Sequence, residues 1–216
     1  MEFSALIVGA GSGARAGSGE AKQWRLLGGK PVFRWSMEAM LEAGARRTVA
    51  VIPAGDEFAA AAAFAGLSGW TATQGGATRA ESSLAGLRAL AADEAEIVLV
   101  HDAARPFLTG RHIAMLIEAL EGADGAFLAL PMADTLKLRP EGGGAVSTLP
   151  RATVWRAQTP QAFRAGTLGA AYAAWPPGET PTDDAQVVER AGGRIVPAAG
   201  DPMLMKLTYP EDFAMA

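Results

Sequence analysis

The sequence contains no cysteine and only two histidines, His101 and His112. The absence of cysteine excludes disulfides and thiolate metal sites, and two histidines are too few for a histidine-rich metal centre. The chain has no uninterrupted apolar run of about 18 residues, so we expect no membrane-spanning helix. No basic segment precedes the first apolar run, which argues against a secretory signal. These absences predict a soluble cytoplasmic protein without membrane contact.

The composition supplies enough apolar material for one substantial core. Of the 216 residues, 50% are hydrophobic and 19% are charged, and the length favours a single domain over residues 1–216. The net charge of −4 argues against nucleic acid as a partner, because nucleic-acid-binding surfaces are basic.

Strand and helix patterns alternate along the first part of the chain. Five apolar runs predict strands at 5–8, 48–53, 70–73, 97–101 and 125–131. Helical patterns between them predict helices at 32–41, 56–65, 80–92 and 109–121. Such alternation is typical of an α/β fold with a mostly parallel sheet.

The alternation stops at Asp134, where a different pattern begins. Residues 134–139 alternate in period two and 140–144 form a turn, and with 146–149 and 153–158 they predict a hairpin-like excursion over 134–159. Two short strands bury little by themselves, so we expect this arm to pack on a second subunit. Beyond it, the patterns predict helices at 161–174 and 182–191 and strands at 194–197 and 206–208.

A glycine loop follows the first predicted strand. Gly9, Gly11 and Gly13 carry no side chains, so backbone N–H groups there can face an anion at close range. Arg15 and Lys22 follow within the same stretch and add positive charge. A polyphosphate is the ligand that suits this arrangement.

The glycine loop has three competing interpretations. Gly9-x-Gly11-x-x-Ala14 satisfies the dinucleotide fingerprint, but residues 27–31 provide neither a strand nor an acid for the ribose. The dehydrogenase interpretation therefore fails. A Walker A loop also fails, because Gly-Lys-Ser/Thr is absent. A tight turn without a ligand stays open as the third.

Two further loops follow predicted strand ends. Gly75–Arg79 follows the third strand and Asp102–Arg105 follows the fourth. Ligands of parallel sheets bind beyond the carboxyl ends of the strands, so we expect one site to collect these loops and the glycine loop. Taken singly, Asp102 with Arg105 is explained equally well by an ion pair, and Lys206 by a solvated strand end.

Seven motifs are spread along the chain, in a stretch that runs from Ala5 to the C-terminus. They are Gly9–Lys22, Gly75-Gly76-x-x-Arg79-x-x-Ser82, His101–Pro106, Asp134-Thr135-x-Lys137, Gln158-Thr159-Pro160-Gln161, Thr182-Asp183-Asp184 and Lys206-x-Thr208. In this combination the chain resembles the 2-C-methyl-D-erythritol 4-phosphate cytidylyltransferase family of the non-mevalonate isoprenoid pathway. The His101–Pro106 and Thr159-Pro160-Gln161 elements are specific to this family and its ribitol-phosphate relatives.

The resemblance implies a Rossmann-like three-layer αβα nucleotidyltransferase whose arm, residues 134–159, joins two subunits into a homodimer. It implies transfer of CMP from CTP to the methylerythritol phosphate, with release of pyrophosphate and without a protein nucleophile. It implies Mg²⁺ held mainly by CTP phosphates and water, so no residue is assigned as a metal ligand. Some family members are fused to a downstream cyclase domain, and the resemblance implies such a fusion as an option for this chain.

The resemblance also assigns roles to individual residues. Catalytic roles go to Arg15, Lys22, Arg151 and Lys206. Nucleotide binding goes to Gly9, Ala10, Gly11, Gly13, Gly76, Arg79, Ser82 and Asp102. Binding of the second substrate goes to Asp102, Ala103, Arg105, Thr135, Arg151, Thr159, Thr182 and Lys206. The arm residues Arg151 and Thr159 are expected to serve the site of the partner subunit.

Four stretches of the sequence depart from the family pattern. Val8-Gly9-Ala10-Gly11 stands where Pro-Ala-Ala-Gly is usual, and the extra glycine is expected to loosen the nucleotide loop. Ala21, Ala77 and Leu204 stand where proline, an acid and asparagine are usual. None of these changes removes a catalytic charge.

Two other functions stay open: a cytidylyltransferase for another polyol phosphate, such as ribitol 5-phosphate, and a nucleotide-binding dimer without turnover.

Overall fold

The computed structural model describes residues 2–11 and 21–216, and the elements below belong to that part of the chain. The strands are β1 (Phe3–Val8), β2 (Leu26–Leu27), β3 (Lys30–Pro31), β4 (Thr48–Ile52), β5 (Trp70–Gln74), β6 (Ile97–Asp102), β7 (Gly125–Pro131), β8 (Leu136–Leu138), β9 (Ser147–Leu149), β10 (Trp155–Arg164) and β11 (Ile195–Ala199). The helices are α1 (Val32–Glu42), α2 (Glu57–Ala63), α3 (Arg79–Leu90), α4 (Gly110–Ala119), α5 (Ala165–Ala173), α6 (Asp184–Arg190) and α7 (Pro210–Met215).

The central sheet is mostly parallel, which confirms the predicted fold class. Its strands among the described residues lie in the order β11-β7-β10-β6-β1-β4-β5. β10 is the antiparallel exception and pairs with both β6 and β7. The parallel register sets Val8 of β1 beside Asp102 of β6, so the loop that follows β1 begins next to the Asp102 carboxylate.

Helices cover both faces of this sheet and give it three layers. Ile7 of β1 packs in a cluster with Phe33 of α1 and Leu116 of α4. Leu6, one residue earlier, packs on the opposite face in a cluster with Leu168 of α5 and Val187 of α6. Successive strand side chains point to opposite faces, so a strand buried on both faces must be continuously apolar. This explains the run at 5–8 in the sequence.

The segment predicted as an arm contains a separate hairpin. β8 and β9 pair only with each other among the described strands, with Leu136 opposite Leu149. Leu138, Val146 and Trp155 on this segment are exposed to 56%, 59% and 48%. Apolar side chains of this size seldom cluster on a surface without a partner. Packing of the arm on a second subunit stays a prediction.

Two sequence expectations about secondary structure are wrong. The helix expected at 161–174 begins only at Ala165, because residues 161–164 belong to β10 and pair with β6. Long-range strand pairing buries Ala162 and Phe163 there and overrides the local helical pattern. The strand expected at 206–208 is an irregular segment, anchored through a hydrogen bond of 2.9 Å from Leu207 N to Ala104 O. Among the described residues, no helix combines the length and apolarity needed to cross a bilayer.

Candidate active site

A cleft of about 500 Å³ opens at the carboxyl ends of the parallel strands. Its walls come from the loop after β1, the loop after β5, the end of β6 and the segment 206–208. The three loops that the sequence analysis expected in one site therefore surround one cleft in the structure. This cleft is the candidate active site.

The two glycine loops of the cleft are packed against each other. A Cβ atom at Gly75 would lie 2.2 Å from Ala10 Cβ, much closer than carbon atoms approach, so only glycine fits there. Gly75 N donates to Ile52 O at 2.9 Å and Gly9 N donates to Val51 O at 2.8 Å. The first residue of each loop is therefore still hydrogen-bonded to β4, and this contact fixes the point at which each loop leaves the sheet.

The loop before α3 is held rigid by its own side chains. Thr78 Oγ1 accepts from Glu81 N at 3.1 Å, and the Glu81 carboxylate accepts from Ala77 N at 2.6 Å and Thr78 N at 3.2 Å. Ser82 Oγ accepts from Gly76 N at 3.2 Å and donates to Thr78 O at 2.9 Å. This capping box satisfies N–H groups that would otherwise lack partners, so the loop is preorganised without a ligand. Ser82, assigned to nucleotide binding, uses its hydroxyl to shape the loop.

Asp102 lies at the centre of a cluster of cations. Its Oδ1 accepts from Arg79 Nε at 3.0 Å, and its Oδ2 accepts from Lys206 Nζ at 2.6 Å and lies 3.9 Å from Arg105 Nε. Burial alone would raise the pKa of Asp102, but the charges of Arg79, Lys206 and Arg105 outweigh it and hold that pKa well below its ordinary value. The carboxylate therefore stays ionised throughout the neutral range.

A buried hydrogen-bond chain supports Asp102 from behind. Asp102 N donates to Thr159 Oγ1 at 3.0 Å, and His101 Nε2 lies 3.1 Å from the carbonyl of Arg105. Because a carbonyl only accepts, Nε2 carries the hydrogen, and Nδ1 accepts from Thr159 Oγ1 at 3.1 Å. Burial lowers the pKa of His101 to about 4, which agrees with this neutral ring. The hydroxyl of Thr159 is thus engaged inside its own subunit.

The irregular segment that carries Lys206 is tied down on both sides. Leu204 and Leu207 are fully buried and act as apolar anchors. Arg105 Nη1 donates to Leu204 O at 2.6 Å, and Lys22 Nζ donates to Leu207 O at 3.3 Å. Lys22 and Arg105 therefore contact the segment that presents Lys206, so these three of the assigned cations lie in one neighbourhood.

The structure brings some of the assigned residues together and leaves others apart. The cleft is lined by Gly9, Ala10, Gly11, Lys22, Gly76, Arg79, Ser82, Asp102, Ala103 and Lys206. Thr135 and Arg151 lie exposed on the arm, where Arg151 Nη1 donates to Ala133 O, and Thr182 lies exposed before α6, bonded to Gln186. Gly13 and Arg15 fall outside the described residues.

Sequence reasoning missed several residues that support the site. Asp184 and Tyr172 extend the charge cluster through Arg79, and Gln158 and Gln161 brace neighbouring segments. Asp184, Gln158 and Gln161 lie inside motifs already singled out, so a signal was present for them. Tyr172 lies in an alanine-rich helix with no motif around it. Within the described ranges, no group of three or more His, Asp or Glu side chains is arranged for a metal ion.

Comparisons with known proteins agree on one family. The family model described as 2-C-methyl-D-erythritol 4-phosphate cytidylyltransferase matches residues 3–216. The chain is 60% identical to a bifunctional enzyme IspD/IspF of Caulobacter vibrioides, across 100% of this chain and 56% of that protein. It is 43% identical to the 2-C-methyl-D-erythritol 4-phosphate cytidylyltransferase of Ralstonia nicotianae, across 98% of this chain and 89% of that protein.

Solved structures show the same likeness. The crystal structure of the corresponding Thermus thermophilus protein is 30% identical, with a TM-score of 0.80 over 100% of this chain and 97% of that one. A second crystal structure, from Anaerococcus prevotii, reaches a TM-score of 0.85 at 28% identity, over 99% and 95% of the two chains. The chain spans about half the length of the bifunctional relatives that it matches.

Proposed function

Because the chain belongs to the 2-C-methyl-D-erythritol 4-phosphate cytidylyltransferase family, we propose that it transfers CMP from CTP to 2-C-methyl-D-erythritol 4-phosphate. The products are 4-diphosphocytidyl-2-C-methyl-D-erythritol and pyrophosphate. One observation carries the proposal: a preorganised glycine cradle and an ionised carboxylate surrounded by cations share one cleft. The cradle suits a nucleoside triphosphate, and the charged cluster suits a phosphorylated polyol.

The proposed reaction needs no nucleophile from the protein. A phosphate oxygen of the acceptor forms a bond to the α-phosphorus of CTP, and the bond from that phosphorus to the bridging oxygen of pyrophosphate breaks. Negative charge grows on the non-bridging oxygens and on the leaving group, so positioned cations and backbone donors supply the catalysis. Lys22, at the rim of the cleft, fits this role, and Arg15 is proposed for it from the family pattern.

Asp102 and Lys206 are proposed to receive the acceptor. An ionised carboxylate accepts hydrogen bonds from polyol hydroxyls, and the low pKa of Asp102 keeps it in that form. The side chain of Lys206 is 38% exposed, so its Nζ can exchange the contact with Asp102 for a contact with an acceptor phosphate. Charge-assisted hydrogen bonds of this kind are short and about twice as strong as neutral ones.

Mg²⁺ is proposed to bind through the triphosphate. Among the described residues that line the cleft, Asp102 is the carboxylate, and both of its oxygens already accept from cations. This fits a magnesium ion coordinated mainly by phosphate oxygens and water, with its protein contacts made through the bound nucleotide. When bound, the ion neutralises charge on the triphosphate. Chelation with EDTA should abolish turnover, and added Mg²⁺ should restore it.

The exposed apolar arm is proposed as a homodimer interface. Leu138, Val146, Leu149 and Trp155 present apolar surface that a second copy would cover. In such a dimer, Arg151 on the arm would reach the cleft of the other subunit. This accounts for an assigned catalytic residue that lies away from the cleft of its own chain.

Mixing two inactive variants tests the arm. Subunits with Arg151→Ala and subunits with Lys206→Ala, refolded together in equal amounts, would form mixed dimers in about half of all molecules. If the arm acts on the other subunit, each mixed dimer has one intact site, and about a quarter of wild-type activity returns. If Arg151 acts within its own subunit, no activity returns.

The substrate is tested by pyrophosphate release. The protein with CTP and Mg²⁺ should release pyrophosphate with 2-C-methyl-D-erythritol 4-phosphate and not with ribitol 5-phosphate. Release with ribitol 5-phosphate alone would select the other polyol phosphate. Binding of CTP without product from either acceptor would select a nucleotide-binding dimer without turnover. Action in the cytoplasm and a downstream cyclase domain stay predictions that accompany the proposal.

A further inference from the structure

A buried chain of charged and polar groups runs from α5 to the cleft. Tyr172 Oη donates to Asp184 Oδ1 at 2.6 Å, and Arg79 Nη1 donates to Asp184 Oδ2 at 2.6 Å. Arg79 Nε then donates to Asp102 Oδ1 at 3.0 Å. Asp184 is completely buried and does not line the cleft, whereas Arg79 and Asp102 do. The chain therefore links an interior carboxylate to the proposed acceptor site.

The charges along this buried hydrogen-bond chain depend on one another. Burial alone would lower the pKa of Arg79, but Asp184 and Asp102 raise it above its ordinary value. Burial and then the charge of Asp184 raise the pKa of Tyr172, so its hydroxyl keeps its hydrogen and donates. The guanidinium of Arg79 is thus shared between two carboxylates. Because guanidinium donors have a fixed fork geometry, the bond to Asp184 also sets the direction of Nε.

The position of Asp184 is itself fixed from the sheet. Gln161 on β10 accepts from Ala185 N at 3.0 Å and donates to Asp183 Oδ2 at 2.8 Å, so it holds the residues on both sides of Asp184. Asp183 caps α6 through Gln186 N at 2.9 Å. The carboxylate of Asp184 therefore reaches Arg79 from a rigid base.

We propose that Asp184, supported by Tyr172, is a positioning residue that orients Arg79 and, through it, the Asp102 carboxylate. The proposal rests on the proposed function for the identity of the acceptor that Asp102 binds. With Asp184 present, Arg79 gives one N–H group to Asp102 and leaves the remaining acceptor capacity of that carboxylate for substrate hydroxyls. Without it, the guanidinium is free to turn and pair with Asp102 through two N–H groups.

Buried ion pairs of this kind are a poor way to gain stability. Desolvation of the charges offsets most of their attraction, and apolar replacements are often as stable. A role in stability alone therefore gives no reason for two carboxylates on one arginine at the edge of a cleft. A role in orienting the Asp102 carboxylate explains why both carboxylates bind Arg79.

Asp184→Asn is the main test, with Asp183→Asn as its matched control one residue away. The first substitution keeps the shape of the side chain but removes the charge that holds Arg79. The control removes a charge one residue away, keeps an N-cap through the asparagine Oδ1, and leaves the contact between Asp184 and Arg79 in place. We expect Asp184→Asn to raise KM for the acceptor about tenfold and to change KM for CTP by less than about twofold. Tyr172→Phe should shift the acceptor KM in the same direction by a smaller factor, and Asp184→Glu should recover part of the loss.

A second readout does not depend on turnover. In the wild type, the Arg79 Nε–H held by Asp102 should give a resolved, slowly exchanging ¹H–¹⁵N signal, assigned by its loss in Arg79→Lys. Asp184→Asn should shift that signal and speed its exchange, and Asp183→Asn should leave it in place.

The outcomes separate this proposal from the proposed function. If the wild type shows no turnover with the polyol phosphate, the proposed function fails while the Arg79 signal still tests the positioning. The proposal is overturned if Asp184→Asn leaves the Arg79 signal unchanged. It is also overturned if both asparagine variants lower the melting temperature alike and leave both KM values as in the wild type.

Discussion

Restoring the family-typical alanine at Gly9 should harm this protein rather than improve it. A Cβ atom at Gly9 would lie 2.3 Å from Phe33 Cε1 and 2.8 Å from Cδ1, against 3.4–4 Å for ordinary contacts. The Phe33 ring is fully buried and packs between Trp24, at 5.5 Å between ring centroids, and Phe64, at 5.1 Å. The ring therefore has little room to retreat, and the glycine is required by close packing.

The cost of Gly9→Ala follows from overpacking. Extra methyl groups in a packed core cost about 1–3 kcal/mol, and we expect about 2 kcal/mol for a ring held on two sides. For a domain of this size, that lowers the melting temperature by roughly 4–8 °C. Relief by movement of the glycine loop instead would push the backbone of Gly9 toward the cleft that it lines, so KM for CTP should rise.

A double-mutant cycle with Phe33→Leu tests this reasoning. Phe33→Leu alone should cost about 1–2 kcal/mol through a small cavity, with KM for CTP near the wild-type value. In the double variant the alanine methyl partly fills that cavity, so its cost should fall short of the sum by at least about 1 kcal/mol. Denaturant unfolding and CTP kinetics measure both effects. Additivity of the two single costs within about 0.5 kcal/mol would refute a direct contact between the two positions.

Further predictions concern the loops, His101 and the catalytic cations. Gly75→Ala should destabilise the protein by about 2 kcal/mol or more, because its Cβ would meet Ala10 Cβ at 2.2 Å. Gly11→Ala, whose Cβ would meet no atom of the described residues within 4 Å, should change the unfolding free energy by less than about 0.5 kcal/mol. The pKa of His101 falls from 6.5 to about 4 on folding, so the unfolded chain binds the extra proton between those pH values. The free energy of unfolding should therefore drop by roughly 3 kcal/mol as the pH falls from 6.5 to 4, and His101→Gln should flatten that slope in urea titrations at several pH values. Lys22→Met and Arg15→Met should each lower kcat by a factor of about 100 or more, measured by pyrophosphate release. If either substitution changes only KM, the proposed catalytic role of that residue is refuted.

The parts of the fold that the sequence predicted are those set by local patterns. The strand at 125–131 was predicted with its observed bounds, because an apolar run before a proline leaves few alternatives. Residues 161–164 have a local helical pattern but form a strand, because their burial depends on pairing with β6, about sixty residues earlier in the chain. Tyr172 was missed for the same reason: its partner Asp184 is near in space and lies on another helix.

The Gln158-Thr159-Pro160-Gln161 element makes contacts within its own subunit that explain its side chains. The pairing of β10 with β7 shifts register between Ala157 and Gln161, which leaves the residues between them outside the regular ladder. Gln158 Nε2 donates to Asp201 O at 2.8 Å and so holds the segment that leads to Lys206. Thr159 holds the backbone of Asp102, and Gln161 holds the start of α6 beside Asp184. One irregular stretch of strand thus contacts the end of β6, the segment before Lys206 and the start of α6, which lie far apart in the sequence. Each of these contacts needs a particular side-chain length and polarity, so the constraint on the motif follows from the support it gives to Asp102, Lys206 and Arg79.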